Sequence, residues 1–177
     1  PERESCMRNV FLPLAGANEV GGSSYFVKLE GVNVLFDCGA RLRAQFSYPN
    51  YSLLLEEQLD DFGQLDLILI SHAHYDHIGS LYSIASSAVN ARIMATRTTK
   101  ELMRLQLIDF ERSLNPRENE KIRKLKLQRV GEIIDKIIEV PVMTSIKHQS
   151  LSITFYPAGH MAGACMISIE STRCKLL

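Results

Sequence analysis

An α/β fold with a mixed sheet and flanking helices is what this sequence predicts, and three observations predict it. Short runs rich in Val, Ile, Leu, Phe and Tyr open and close the chain. The segment "LDLILIS" (65–71) is an apolar run of the kind a strand shows when both faces are covered, and the stretches after it carry apolar residues at helical spacing. At 177 residues and 46% hydrophobic, the chain can bury one sizeable core and reads as a single domain-sized unit.

The elements follow in order. "NVFLPLAG" (9–16), "SYFVKLEG" (24–31) and "VNVLFDCG" (32–39) read as strands bounded by Gly, Asn and Ser, with "EGVN" as the hairpin turn between the last two. "SLLLEEQLDDFG" (52–63) reads as a helix capped by Ser52 and ended by Gly63, and "LDLILIS" as the next strand. "IGSLYSIASSA" can form a helix, "ARIMAT" a strand, and "TTKELMRLQLIDFERSL" a longer helix with Leu102, Leu105 and Ile108 on one stripe and Met103, Leu107 and Phe110 on another, before Pro116 interrupts. "ENEKIRKLKLQRVGEIIDKIIEV" continues helical from Ile122 and Leu125 through Val130, Ile133 and Ile134 to Ile137 and Ile138, until Pro141 stops it. These stripes are read as packing faces. "TSIKHQ", "LSITFYPAG" and "ACMISIES" are strands again, and "CKLL" (174–177) begins a strand that the chain does not finish. The sequence is therefore read as a piece of a longer protein.

Charge and cysteine usage narrow the classes. Lys plus Arg and Asp plus Glu number 20 each, so no net field draws the chain to nucleic acid or an anionic membrane, and a polyanion has to be held locally. Cys6, Cys38, Cys165 and Cys174 form no C-x-x-C pair and are read as reduced, buried thiols. No run approaches the roughly 18 apolar residues of a membrane span. With no basic-then-apolar leader either, a reducing, cytoplasmic setting is expected.

The chemistry concentrates in "LILISHAHYDHIGSL" (67–81), which holds three of the five histidines within six positions. In an extended segment His72 and His74 project to the same side, and Asp76 and His77 follow where the chain turns into the next helix. Imidazoles and carboxylates are the donors that suit zinc, and a stiff strand end holds them close without a large entropy cost. A lone histidine is more often solvated or hydrogen-bonded; four candidate ligands together point to a metal. "YPAGHMAGA" adds His160 among Gly and Ala neighbours that let the backbone come near a bound group. His148, between Lys147 and Gln149, matches no motif and is read as a surface strand residue.

Taken together, H-x-H-x-D-H after a buried strand, an earlier strand ending in Asp ("VLFDCG") and a later "AGH" resemble the metallo-β-lactamase fold, an αββα sandwich of which this chain is similar to the N-terminal half. "PLAGANEVGGSSYFV", "ISHAHYDHIGSL", "ATRTTKELMRLQLIDFER" and "YPAGHMAGACMISIE" look like its β-CASP branch of RNA-processing nucleases, the polyadenylation-factor endonucleases and RNase J among them. The likeness runs from about residue 9 to the end and includes the helical block at about 97–140. It implies that His72, His74 and His160 ligate one zinc ion and that Asp76 and His77 contribute to a second. It also implies that Asp76 orients or deprotonates the attacking water and that Asp37, the early strand-end aspartate, orients ligands or water; these two aspartates are the catalytic candidates. Glu19, in "NEVGGS", falls in a loop near the site and is either functional or solvated.

The family pattern also contains an aspartate bridging the two metals shortly after the "CKLL" strand, an inserted β-CASP domain and the second half of the sandwich. None lies within these 177 residues. The expectation is a zinc-dependent RNA hydrolase in the full-length protein, with little turnover from this piece alone. Two alternatives stay open: a hydrolase of small esters, thioesters, lactams or lactones, for which the helical block is superfluous, and a non-catalytic interaction module. A half-sandwich is also expected to expose a sheet edge and an apolar face, favouring association with the missing C-terminal part or with a second copy as a homodimer.

Overall fold

A computed structural model describes residues 8–41, 48–114 and 118–177, with 110–114 described by their backbone only. The first sheet starts as an antiparallel meander of β1 (Val10–Ala15), β2 (Ser24–Leu29) and β3 (Val32–Phe36). Glu30 and Gly31 join β2 to β3, both at positive φ (48° and 84°), as a two-residue hairpin turn of right-handed twist demands. The expected "EGVN" turn is this one. From β3 the sheet becomes parallel through β4 (Leu67–Leu69), β5 (Arg92–Ala95) and β6 (Ile138–Glu139), giving the order β1-β2-β3-β4-β5-β6. Helices α1 (Tyr51–Glu57), α2 (Tyr75–Ile78), α3 (Leu81–Ser87), α4 (Arg97–Leu114) and α5 (Glu120–Lys136) connect these strands. A second, antiparallel sheet has the order β10-β9-β8-β7, from β7 (Ser145–His148), β8 (Leu151–Pro157), β9 (Cys165–Glu170) and β10 (Lys175–Leu176).

Strand β4 shows why its sequence is apolar at every position. Leu67 and Leu69 pack toward the second sheet with Phe155 and Ile167, while Ile68 and Ile70 pack toward the helices with Leu54, Ile78 and Met103. All four are fully buried. At about 1.5–3 kcal/mol for each such side chain, β4 ties the helix layer to both sheets. The described residues thus build three layers, helices on sheet on sheet, an α/β arrangement with a mixed sheet.

Several sequence expectations are corrected. Helix α1 is capped by Asn50, whose side chain accepts from Leu53 N, and not by Ser52; the helix ends at Glu57, and Phe62–Gln64 form a separate 3-10 turn. Helix α5 stops at Lys136, before Pro141, because Ile138 and Glu139 leave it to pair with Met94 and Ala95 on β5. On α4 the Met103–Leu107 stripe is buried, but Leu105 is 62% exposed, as are Ile122 and Leu125 of α5 by about half. Cys38 and Cys165 are buried free thiols, whereas Cys174 is exposed. Cys6 and Pro116 lie outside the described residues. The outward side of the second sheet carries Ser152, Thr154 and Tyr156 along β8 and the exposed Glu170 on β9, so apolar exposure is narrower than a whole face. It gathers at Phe11, Met166 and Leu177, which line a cleft of about 520 Å³. No helix among the described residues is long and apolar enough to cross a membrane.

Candidate metal centre

Three neighbouring parallel strands end at one rim, and each delivers a piece of the site there, the usual location of ligand sites in such sheets. Asp37 follows β3, Ser71 and His72 follow β4, and Thr96 follows β5. After β4 the chain runs extended through His74 and then enters the single helical turn α2, so that His74 serves as its N-cap and Asp76 and His77 lie within it. That turn is held from outside. Ser23 N donates to the Asp76 carbonyl (2.8 Å) and Cys38 N to the His77 carbonyl (2.8 Å). Gly39 passes so near that a Cβ there would collide with the Asp76 carbonyl oxygen and sit 2.6 Å from the Gly22 carbonyl carbon. Only a glycine fits.

His160 arrives from the second sheet, on the loop between β8 and β9. Cys165 N donates to the Ser71 carbonyl (3.0 Å), which stitches the start of β9 to the end of β4. Thr96 Oγ1 and Thr99 Oγ1 each donate to the Gly163 carbonyl (2.9 Å and 2.9 Å), fixing the loop to the start of α4.

The rings of His72, His74 and His160 form a triangle with centroids 5.0 Å apart on every side, and one nitrogen from each lies within 4.8 Å of the others. His160 Nε2 stands 3.1 Å from His74 Nδ1. Two nitrogens bound tetrahedrally to one zinc at about 2.0–2.1 Å are separated by roughly 3.3 Å, so this pair is spaced for a shared cation. Burial, with the nearby His77 second, lowers the His72 pKa to about 4, leaving that ring neutral with a lone pair to give near pH 7. Three converging imidazoles fit a zinc-like ion by chemistry and by spacing.

The structure brings His77, Asp76 and Asp37 to the flank of this triangle. The ring of His77 is 4.0 Å from that of His72, centroid to centroid. Its Nδ1 is 2.7 Å from Asp37 Oδ2 and its Nε2 3.7 Å from Asp76 Oδ2, so Nε2 faces the second carboxylate. Burial would lower the His77 pKa, but the hydrogen bond and charge of Asp37, with Asp76 adding to them, outweigh it and raise it. Asp37 is 6% exposed and sits at φ 56°, a left-handed conformation that Asp tolerates better than most residues. Its carboxylate also accepts from Ser71 N (2.7 Å) and Ser71 Oγ (2.7 Å). Asp37 therefore touches ligand candidates rather than the open side of the site.

Elsewhere, Glu19 pairs with Arg41. His148 lies in β7, half-buried beside Arg92 and Asp66, away from the histidine triangle. Sequence reasoning passed over Ser71, Thr96 and Thr99. Their positions directly before His72 and at the head of the "ATRTTKEL" segment were the available signals.

Comparison with known proteins gives the following. Residues 26–177 match the family model described as the Metallo-beta-lactamase superfamily domain. Cleavage and polyadenylation specificity factor subunit 3 of Dictyostelium discoideum is 30% identical over 171 residues, covering 93% of this chain and 21% of that protein. Endoribonuclease ysh-1 of Neurospora crassa is 32% identical over 177 residues, covering 94% of this chain and 19% of that protein. The chain thus spans about a fifth of the length of these relatives. Among solved structures, the dizinc quorum-quenching lactonase AidC superposes with a TM-score of 0.57 at 20% identity, covering 86% of this chain and 53% of that one.

Proposed function

The chain belongs to the metallo-beta-lactamase superfamily, and from that premise we propose that the full-length protein is a zinc-dependent nuclease of the β-CASP type, hydrolysing RNA phosphodiester bonds. The observation that carries the metal part is the 3.1 Å approach of His160 Nε2 to His74 Nδ1 across two sheets. RNA as the substrate class is supported by the relatives' names, a cleavage and polyadenylation factor and an endoribonuclease.

In this reading His72, His74 and His160 hold one zinc, and Asp76 with His77 contributes to a second. Bound ions of this kind supply Lewis acidity toward a phosphoryl oxygen and bring the pKa of water down to about 7. The chain's own residues do the rest. His72, kept neutral by burial, offers its lone pair without first losing a proton. Asp37 holds the Nδ1 side of His77 and so aims Nε2 outward, acting through that ring as a positioning residue. Asp76, whose side chain is 41% exposed, orients the attacking water and takes its proton in this reading. With zero net charge, the chain exerts no net attraction on a polyanion, and RNA phosphates are held by local cations or by parts of the protein outside these residues. A reducing compartment is supported by the free buried thiols of Cys38 and Cys165, which burial pushes up in pKa.

The test is cleavage of end-labelled RNA by the full-length protein. Activity is expected to disappear with a chelator, to return with added zinc, and to be lost in His74→Ala. Turnover of small esters or lactones with none of RNA would overturn the substrate assignment, and cleavage indifferent to chelation would overturn the metal.

A further inference from the structure

Ser71 lies at the junction of Asp37, His72 and His77, and its hydroxyl is 2.7 Å from Asp37 Oδ2, 2.9 Å from His72 Nδ1 and 3.4 Å from His77 Nδ1. Counting protons decides the direction of each bond. The serine hydroxyl has one hydrogen to give, and the Asp37 carboxylate can only accept. A hydrogen bond to a carboxylate is roughly twice as strong as one between neutral groups, so the hydroxyl proton goes to Asp37. The oxygen then offers only lone pairs toward His72, and His72 Nδ1 must carry the hydrogen that meets them. His77 Nδ1, 2.7 Å from the same Asp37 oxygen, donates directly.

From this we infer that Ser71 is a positioning residue for the metal centre: it relays Asp37 to His72, fixing the imidazole as the Nδ1–H tautomer so that Nε2 is its one lone-pair nitrogen. A single buried carboxylate therefore sets two rings, His77 by contact and His72 through one hydroxyl. Ser71 is suited to the relay by its backbone as well. Its N–H donates to Asp37 Oδ1 (2.7 Å) and its carbonyl accepts from Cys165 N (3.0 Å), so the side chain leaves from a main chain held at both ends. This inference rests on the metal site described under the proposed function.

The experiment uses the full-length protein with Ser71→Ala and Ser71→Thr, each titrated with zinc against a chromophoric chelator and each recorded as the cobalt-substituted form. S71A is expected to weaken zinc binding by about 10–100-fold and to alter the cobalt visible spectrum, while S71T, which keeps the hydroxyl, restores both. Wild-type affinity and spectrum in S71A, or a folded S71T that behaves like S71A, would overturn the inference. Should S71A fail to fold, nitrogen NMR of the zinc-free wild-type protein labelled at histidine decides: an Nδ1–H ring at His72 is expected, and an Nε2–H ring refutes the relay. A wild-type protein that binds no zinc would instead defeat the metal reading, leaving the tautomer measurement to judge Ser71 alone.

Discussion

The first sheet and the second sheet bring histidines to the same point by different means. On the first, His72, His74 and His77 leave one strand end, two of them backed by a buried carboxylate, His77 directly and His72 through Ser71, with the α2 turn clasped by Ser23, Cys38 and Gly39. On the second, His160 stands exposed on a loop whose neighbouring Gly159 meets nothing within 4 Å of where a Cβ would be. The first half is held by its own backbone hydrogen bonds. The second is tethered at Gly163 and Cys165 and leaves the histidine itself to be fixed by what it binds. A turn clasped by backbone bonds on one side, the cradle, and an exposed histidine on a tethered loop on the other, the arm, make an asymmetry that can be attacked from either side.

The largest effect is expected at the clasp. In Gly39→Ala the new methyl group cannot be accommodated unless the α2 turn moves off, because what it meets is backbone on both sides, the Asp76 carbonyl and Gly22. Both clasping bonds, Ser23 N to Asp76 and Cys38 N to His77, break with that movement. A loss of about 4 kcal/mol or more is expected in denaturant unfolding, together with loss of zinc binding. A G39A protein of near wild-type stability would show that the clasp is loose.

Next comes the carboxylate. Asp37→Asn keeps the volume and the tolerance of positive φ but turns one oxygen into a donor, which faces Ser71 N if it replaces Oδ1, or both Ser71 Oγ and His77 Nδ1 if it replaces Oδ2. The expected cost is about 2–3 kcal/mol in stability, with zinc affinity down by about 10–100-fold. Calorimetric unfolding and chelator competition on the same variant check the two numbers. If affinity falls while stability does not, Asp37 tunes the ligands without organising the fold.

Much of this contrast was legible in the sequence, and unevenly so. The cradle's histidines were readable because H-x-H-x-D-H is a local pattern placed at the end of an apolar run, and His160 because glycine and alanine around a histidine are seldom accidental. Strand β4 was readable from its lack of alternation. The start of α1 was not, since "YPNYSLLL" offers both Asn50 and Ser52 as caps and only the reach of the Asn50 oxygen to Leu53 N separates them. Ile137 and Ile138 continue a helical stripe by spacing, yet pairing of Ile138 with Met94 pulls the chain straight, a tertiary preference that periodicity does not carry. The tether of Thr96 and Thr99 to Gly163 spans 67 and 64 residues, and nothing in "ATRTTKEL" announces so distant a partner. Ser71 was hidden in plain view, inside the motif but chemically ordinary until Asp37 stands beside it.

The smallest effect is expected on the arm. Gly159 has φ 71°, so Gly159→Ala carries the cost of placing a Cβ in the left-handed region, about 1–2 kcal/mol, and no steric collision adds to it. This exposed loop is expected to yield in the zinc-free protein, relieving part of that cost, and the cost to reappear when His160 must stand against His74. Stability measured with chelator should therefore fall less than stability measured with zinc. For Gly39→Ala the loss should be large in both conditions. Equal losses with and without zinc in G159A would mean that the arm is as fixed as the cradle, and the two sheets would then differ in sequence but not in mechanics.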